Sequence, residues 1–379
     1  MRRRVGRRNT RVSLDLGTAL LAATWVVGWF LFWRLPALPA AGPARERRIS
    51  VVIPARDEAT ALPHLLAALD RQTMPAAEVV VVDDHSADDT GAVAFTAGAQ
   101  VLPAPPLRDG WTGKASACWY GAHQTTGDVL VFLDADTEPA PDLLVRVVAE
   151  LERRGGLVSV APYHRMARVY ERLSAVFHVI AVMGIGAASA RPRAPVTGAF
   201  GPCLACTRAD YGSVGGHEVV RGAVADDIAL ARTFRRAGLP VHVVAGGEAI
   251  RYRLYPNGVR QLADGWSKNF AAGARSTPIV RFLLVMAWVI GLGTAAQVPV
   301  RVLLTAVAGW SSPGILGWVV YVAFAAQLAV MLRPLGNYAW ATPLFPAPLA
   351  AWFTIFIRSI VWMARGNVRW KGRVVPVRP

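Results

Sequence analysis

An α/β domain with a mostly parallel sheet buried on both faces, flanked by membrane helices, is the fold class this sequence predicts. Three observations lead there. Between Ile49 and about Tyr255, short β-branched runs alternate with helical patterns, as βαβ units do. Those runs are continuously apolar rather than alternating, so both faces of the sheet are covered. Outside that region the stretches Leu16 to Trp33, Phe282 to Val300, Val302 to Leu332 and Pro334 to Ile357 carry no charged residue.

The elements follow in order. The first eleven residues carry six arginines. Leu16 to Trp33 is then long enough to approach the roughly 20 apolar residues of a span. Small residues follow at Ala37 to Ala44, as after a signal peptide, but the apolar run exceeds the roughly 7–15 residues of such a segment. Arg34 to Arg48 reads as a Pro/Ala/Arg linker. Ile49 to Ile53 is a buried strand and Ala59 to Arg71 an amphipathic helix. Glu78 to Asp83 is a second strand, after which Ser86 and Asp88 are placed to cap a helix. Val129 to Leu133 is a third strand, ending at Asp134. Pro141 to Arg153 is a helix with proline at its start and glycines after it. Two spans are expected near 280–304 and 314–332. The third C-terminal stretch is broken by Pro343, Pro346 and Pro348 and carries Arg358; it either spans, re-enters or lies in the interface. The organisation is therefore a membrane segment and linker over 1–48, a globular domain over 49–275, and membrane helices with a basic tail over 276–379.

Composition sharpens this. Of 379 residues, 54% are hydrophobic and 17% charged, which is apolar for a soluble protein. Lys and Arg number 41 against 25 Asp and Glu, a formal charge of +16. The surplus suits an anionic membrane face or phosphate-bearing substrates. The basic residues do not form one stripe, and the uncharged stretches exclude a soluble nucleic-acid-binding protein. Three cysteines, Cys118, Cys203 and Cys206, build no disulfide framework. Cys203 and Cys206 form a lone CxxC without a second pair, which favours a structural role over zinc or redox chemistry.

Chemistry concentrates at strand ends, where open α/β sheets bind ligands. Strand one runs into Pro54, Ala55, Arg56, Asp57 and Glu58. Strand two ends at Asp83 and Asp84, and strand three at Asp134-Ala135-Asp136. One such cluster is an ordinary turn or cap; three on one sheet edge point to a site. Asp134 and Asp136 have the chemistry of a hard-cation site, since Mg²⁺ or Mn²⁺ takes one or two carboxylates plus substrate phosphates. Asp83 is placed for a base or ribose. Lys114, in Gly110-Trp-Thr-Gly-Lys-Ala-Ser, opens a helix where a cation suits a phosphate. Ala115 stands where a P-loop needs Ser or Thr, which argues against a P-loop ATPase. Asp226 and Asp227 begin a helix; they are either dipole-favoured N-terminal acids or a pair containing a general base. Leu173 to Ala190 reads equally as an interfacial or a core helix.

Together these residues resemble glycosyltransferase family 2, of the GT-A type (a nucleotide-diphospho-sugar transferase, Rossmann-like fold), over roughly 49–275. The resemblance implies nucleotide-sugar contacts for Pro54, Ala55, Asp57, Asp83, Lys114 and Asp134. It implies metal and diphosphate binding by Asp134 and Asp136, and a catalytic base at Asp227 beside Asp226, where the family usually has Glu-Asp. Gly110-Trp-Thr-Gly-Lys114, Gly265-Trp-Ser-Lys-Asn269 and Trp370-Lys-Gly-Arg373 resemble the branch that glycosylates diaponeurosporenoate and hopanoid lipids. That implies Trp266, Lys268, Trp370 and Arg373 on the acceptor or product side. The Gln-x-x-Arg-Trp motif of polymer synthases is not matched.

The implied reaction is an inverting transfer from a nucleotide-sugar, a UDP-sugar first, to a membrane-embedded lipid acceptor. A polyprenyl-phosphate or glycerolipid acceptor is the alternative, and a non-catalytic nucleotide-binding scaffold is the alternative of another class. Cytosolic nucleotide-sugars place 49–275 on the cytosolic side of the cell membrane, in a multi-pass chain. A single N-terminal span would then put the arginine-rich start outside, against the positive-inside rule; a first segment lying in the interface relieves the conflict.

Overall fold

The computed structural model describes residues 16–40, 42, 45–191, 194–308, 313–338, 341–364, 367–370 and 373–376. The arginine-rich start lies outside them. Helix α1 is Leu16–Leu31. The α/β region then runs β1 (Ile49–Ala55), α2 (Leu62–Asp70), β2 (Glu78–Asp83), α3 (Thr90–Thr96), β3 (Gln100–Pro103), α4 (Gly113–His123), β4 (Val129–Leu133), β5 (Thr137–Pro139), α5 (Leu143–Arg154), β6 (Leu157–His164), α6 (Ala175–Ile185), β7 (Cys203–Thr207), α7 (Arg208–Ser213), α8 (Asp226–Arg236) and β8 (Val241–Tyr252). Helices α9 (Val259–Ser276), α10 (Ile279–Ala308), α11 (Ile315–Leu332) and α12 (Pro346–Ala364) follow, and a hairpin of β9 (Asn367–Trp370) and β10 (Arg373–Pro376) closes the chain.

Eight strands form one sheet in the order β3-β2-β1-β4-β7-β6-β8-β5. Strands β3, β2, β1 and β4 are mutually parallel, as are β6 and β8. The sheet is mixed where the sequence suggested mostly parallel: β7 runs antiparallel to both neighbours, and β5 antiparallel to β8. The reason is local. The segment after α6 returns the chain to the end of β4, where the Asp134 amide donates to the Pro202 carbonyl at 3.0 Å and Cys203 pairs with Leu133. A strand that starts there can only run backwards. This delivers Phe200, Gly201 and Pro202 to the acid-bearing edge.

Alternation along each strand explains the continuous apolar runs. Val51 and Ile53 of β1 face one core with α2 and α5, whereas Val52 faces the other with α4 and α8. Cys203 and Cys206 are three apart on β7 and fall into these opposite cores. They therefore cannot share a metal or a disulfide, and both thiols are pushed up by burial. Gly121 of α4 has no side chain because an added Cβ would sit 2.6 Å from Val52 and 2.9 Å from Val82.

A third core joins α1, α6, α9, α10, α11 and α12 through Phe177, Trp266, Trp288 and Trp352. Helix α6 is buried along nearly its whole length, so the stretch from Leu173 is a core helix rather than an interfacial one. Helices α10 and α11 are long and apolar enough to cross a membrane; α1 and α12 are shorter apolar helices. The linker is pinned rather than loose: the Leu38 amide donates to the Ala245 carbonyl at 2.8 Å, and the Ala245 amide to the Pro36 carbonyl at 2.7 Å.

Candidate active site

The loops after β1 and β2 lock each other. The Asp57 amide donates to Ser86 Oγ at 3.0 Å, and Asp57 Oδ1 accepts from the Ala87 amide at 2.7 Å. Asp83 Oδ1 accepts from the Ser86 amide at 3.0 Å and from Ser86 Oγ at 2.5 Å. Ser86 thus ties loops together instead of capping α3; Asp88 alone reaches that helix, accepting from the Thr90 amide at 3.1 Å. The cleft wall here is formed by Pro54, Ala55, Asp57 and Asp84, with Asp83 one residue behind. Among the described residues, three non-glycines have positive φ: Asp57 at 52°, His85 at 56° and Tyr255 at 57°. Asp57 and Tyr255 line the cleft and His85 adjoins Asp84. Such conformations cost about 1–3 kcal/mol each and persist where the surroundings hold them.

Lys114 is the second residue of α4, whose N-cap Thr112 accepts from the Ala115 amide through its side chain. Its Nζ lies 2.5 Å from Asp134 Oδ1. Burial opposes the ammonium charge, but Asp134 and Asp226 more than offset it and hold the pKa of Lys114 above its ordinary value. Gly201 lies under this pair: an added Cβ would be 3.2 Å from both Lys114 Nζ and Asp227 Oδ2. The backbone that β7 brings to the edge is therefore in contact with the base candidate and the cation at once.

Asp226 and Asp227 open α8. Asp227 Oδ2 accepts from the Gly201 amide and Oδ1 from the Ile228 amide, both at 2.8 Å. Burial, reinforced by the charge of Asp226, raises the pKa of Asp227 to about 6, against the pull of Lys114 and the two amides. Behind Asp226 stands His217, buried against Phe132. The Tyr211 hydroxyl accepts from the His217 amide at 3.1 Å and lies 2.9 Å from its Nδ1. The other ring nitrogen, Nε2, lies 4.0 Å from Asp226 Oδ2. Burial lowers the imidazole to about 4, keeping it neutral.

Pro54, Ala55, Asp57, Asp84, Lys114, Asp134, Asp136, Gly201, Asp226 and Asp227 line one cleft of about 1100 Å³. Beyond them the wall becomes apolar: Ile180 and Ile185 of α6, Phe282 and Met286 of α10, Trp352 and Phe356 of α12. Trp266 and Lys268 also line it; Trp266 stacks on Phe177 at 4.8 Å and donates through Nε1 to Ser174 Oγ. Trp370 and Arg373 face each other in register across the β9–β10 hairpin, which packs beside α9 and α12. Gly201, His217, His178 and Tyr252 belong to the site without having been expected. The return of β7 brings in Gly201, β8 carries Tyr252 and α6 carries His178 to the cleft wall, while His217 stands behind Asp226. Among the described residues no group of three or more His, Cys, Asp or Glu could hold a metal. Two carboxylates at a strand tip match an ion that completes its shell with substrate phosphates and water.

Comparison with known proteins identifies the family and the fold. The profile for Glycosyl transferase family 2 matches residues 50–205, and that for Glycosyl transferase family group 2 matches residues 129–355. A 4,4'-diaponeurosporenoate glycosyltransferase of Staphylococcus haemolyticus is 35% identical over 254 residues, covering 65% of this chain and 67% of that protein. One from Staphylococcus aureus strain bovine RF122 / ET3-1 is 30% identical over 369 residues, covering 94% and 96%. Among solved structures, a Pyrobaculum calidifontis mannosyltransferase in complex with GDP-Man and Mn²⁺ superposes with a TM-score of 0.57 at 20% identity, covering 90% of this chain and 97% of that one.

Proposed function

The chain belongs to glycosyltransferase family 2, and from that premise we propose that it moves a sugar from a nucleotide-sugar, a UDP-sugar first, to a carotenoid-like or other apolar lipid acceptor at a membrane, with inversion. One observation carries the reading. A single cleft joins the acid- and lysine-bearing sheet edge to an apolar wall contributed by α6, α10 and α12. A polar donor and an apolar acceptor could therefore meet at Asp227 without either leaving its solvent. The relatives named for a diaponeurosporenoate acceptor point the same way.

In this reading Asp57, Asp84 and the backbone at Pro54 and Ala55 hold the nucleotide, and Asp83, expected in that role, instead fixes the loop through Ser86. Lys114, ion-paired with Asp134, is the cation assigned to the diphosphate. Asp134 and Asp136 would hold Mg²⁺ or Mn²⁺, which neutralises charge on a departing diphosphate. Asp227 takes the proton of a hydroxyl acceptor, whose oxygen bonds to the anomeric carbon as the bond from that carbon to the diphosphate breaks. Gly201 and Ile228 fix both oxygens of Asp227, so the base is positioned before substrate arrives. Trp266 and Lys268 stand on the acceptor side. With α10 and α11 crossing the cell membrane, the nucleotide end of the cleft faces the cytosol, where nucleotide-sugars are made.

The test is a panel of UDP- and GDP-sugars against carotenoid, hopanoid, polyprenyl-phosphate and diacylglycerol acceptors, read by product mass. A glycosylated carotenoid or hopanoid supports the proposal; products confined to polyprenyl-phosphate or diacylglycerol would replace its acceptor class. Excess EDTA should abolish transfer and added Mn²⁺ or Mg²⁺ restore it. Unchanged turnover in EDTA would remove the metal from the account.

A further inference from the structure

Behind the cleft lies a chain of buried polar groups that the reaction as described does not use. Leu254's amide donates to His164 Nε2 at 3.2 Å. His164 Nδ1 is 3.1 Å from the Tyr338 hydroxyl, which is 2.6 Å from His178 Nδ1. His178 Nε2 is 3.0 Å from the Tyr252 hydroxyl. All four side chains are buried, with Tyr252 and Tyr338 at 8% and 1% exposure. They come from β6, α6, β8 and the turn after α11, distant parts of the chain that meet only here.

The direction of this chain is fixed by its first member. A backbone amide can only donate, so His164 Nε2 is an acceptor and the ring proton is on Nδ1. That proton goes to the Tyr338 oxygen. Tyr338 then has one proton of its own and, among the described residues, one remaining hydrogen-bond neighbour, His178 Nδ1. The Ser174 carbonyl, one turn earlier in the chain, competes for the His178 ring. Turning Nδ1–H towards it would leave the buried Tyr338 proton without an acceptor, a cost of about 1–3 kcal/mol. His178 therefore carries its proton on Nε2 and gives it to the Tyr252 oxygen. Burial holds both imidazoles below their ordinary pKa, so each has a single ring proton to give. Tyr252 has now accepted, and its own hydrogen is the end of the line. Tyr252 lines the cleft, opposite Thr137 in the β5–β8 register and so next to the Asp134–Asp136 turn.

We infer that Tyr252 is a substrate-binding hydroxyl whose proton is aimed into the cleft by His164, Tyr338 and His178, where it donates to an anionic oxygen of bound substrate. The matching chemistry is an oxygen that only accepts: the diphosphate of the donor or the carboxylate of a lipid acid. Tyr338 and His178 are positioning residues, since they act through Tyr252. Tyr338 also ties the turn after α11 to His178, which lines the cleft.

The test uses the full chain in detergent or nanodiscs and measures UDP affinity by calorimetry and the KM of a carboxylate lipid acceptor. Tyr252→Phe should weaken one of the two by about tenfold, as expected for a hydrogen bond to a charged group. A loss of UDP affinity assigns the contact to the diphosphate, and a raised acceptor KM assigns it to the carboxylate. Tyr338→Phe should produce a smaller loss in the same constant and none in a Tyr252→Phe background. His178→Gln, which keeps a donor on the ring's outer side, should retain more binding than His178→Leu. Thermal melts report folding, and if Tyr338→Phe fails to fold, Tyr252→Phe and the His178 pair decide. Both constants within twofold of wild type in Tyr252→Phe, or multiplicative losses in the double variant, would overturn the inference. It rests on the cleft being the transfer site: wild-type protein that neither binds UDP nor transfers sugar would sink that reading, whereas intact transfer with an inert Tyr252→Phe would sink this one alone.

Discussion

Asp227 is where acidity and reaction are linked most directly. Its pKa is raised to about 6 by burial and by Asp226, so if Asp227 is the base we propose, the free enzyme loses it as pH falls through about 6 rather than through the ordinary carboxylate range. The acid limb of kcat/KM should lie there for a hydroxyl acceptor. A carboxylic acid acceptor arrives ionised and needs no base. Asp227→Asn should therefore cost about 10²–10⁴-fold with a hydroxyl lipid and much less with a carboxylate lipid. Equal losses with both would show that Asp227 acts through binding instead. The sign for stability is opposite. A raised folded pKa contributes stability below the ordinary value of 3.8, lost as pH rises through about 6. The melting temperature of Asp227→Asn relative to wild type should thus improve between about pH 5 and about pH 8. A flat difference would mean that the carboxyl does not titrate in that window. Comparing two pH values also removes the constant loss of the Gly201 and Ile228 hydrogen bonds.

Element by element, the acid-bearing end of the cleft was legible because it depends on strand ends. A parallel strand reads as a short apolar run, and the acids at its end read with it, so Asp57, Asp134 and Asp136 fall where their spacing placed them. Asp83 shows the limit: its run was legible, but the turn chemistry that gives Oδ1 to Ser86 and leaves Asp84 facing the cleft was not. The direction of β7 was hidden for a similar reason. Cys203 to Thr207 is a short apolar run that reads the same forwards or backwards, and the length of loop before it decides. Helix α4 offers the sharpest test at this scale. It carries Lys114 at its start and rests on β1 and β2 at Gly121. Gly121→Ala places a methyl 2.6 Å from Val52 and must lift the helix. Overpacking of this kind costs about 1–3 kcal/mol, offset in part by about 1 kcal/mol of improved helix propensity. The melting temperature should fall, and UDP affinity should fall with it because Lys114 moves. A variant as stable as wild type with full UDP affinity would mean that the sheet yields instead of the helix.

For the whole molecule, the apolar wall of the cleft was hard to read because it is made by packing between distant segments. Uncharged stretches announce helices but not their neighbours. In the structure α6 and α9 pack with α10 and α12 through Phe177, Trp266, Phe270 and Trp352, and α1 joins α10 and α11. Gln327 fastens that corner, accepting from Trp288 Nε1 at 2.9 Å and donating to the Trp25 carbonyl at 2.8 Å. The hydrophobic core is therefore continuous across residue 276. An excised 49–275 fragment would keep the sheet but strip one side from α6 and α9. Burying apolar surface is worth about 25 cal/mol per Å², so exposing several large aromatic faces costs an amount comparable with the about 5–15 kcal/mol by which domains are stable. We expect that fragment to aggregate or to require detergent, and to bind UDP far more weakly than the full chain. A monodisperse, detergent-free fragment with full UDP affinity would show that the apolar helices serve only as an anchor. The expected outcome makes them instead a wall of the active cleft, with lipid-facing helices and nucleotide-facing strands folding as one unit.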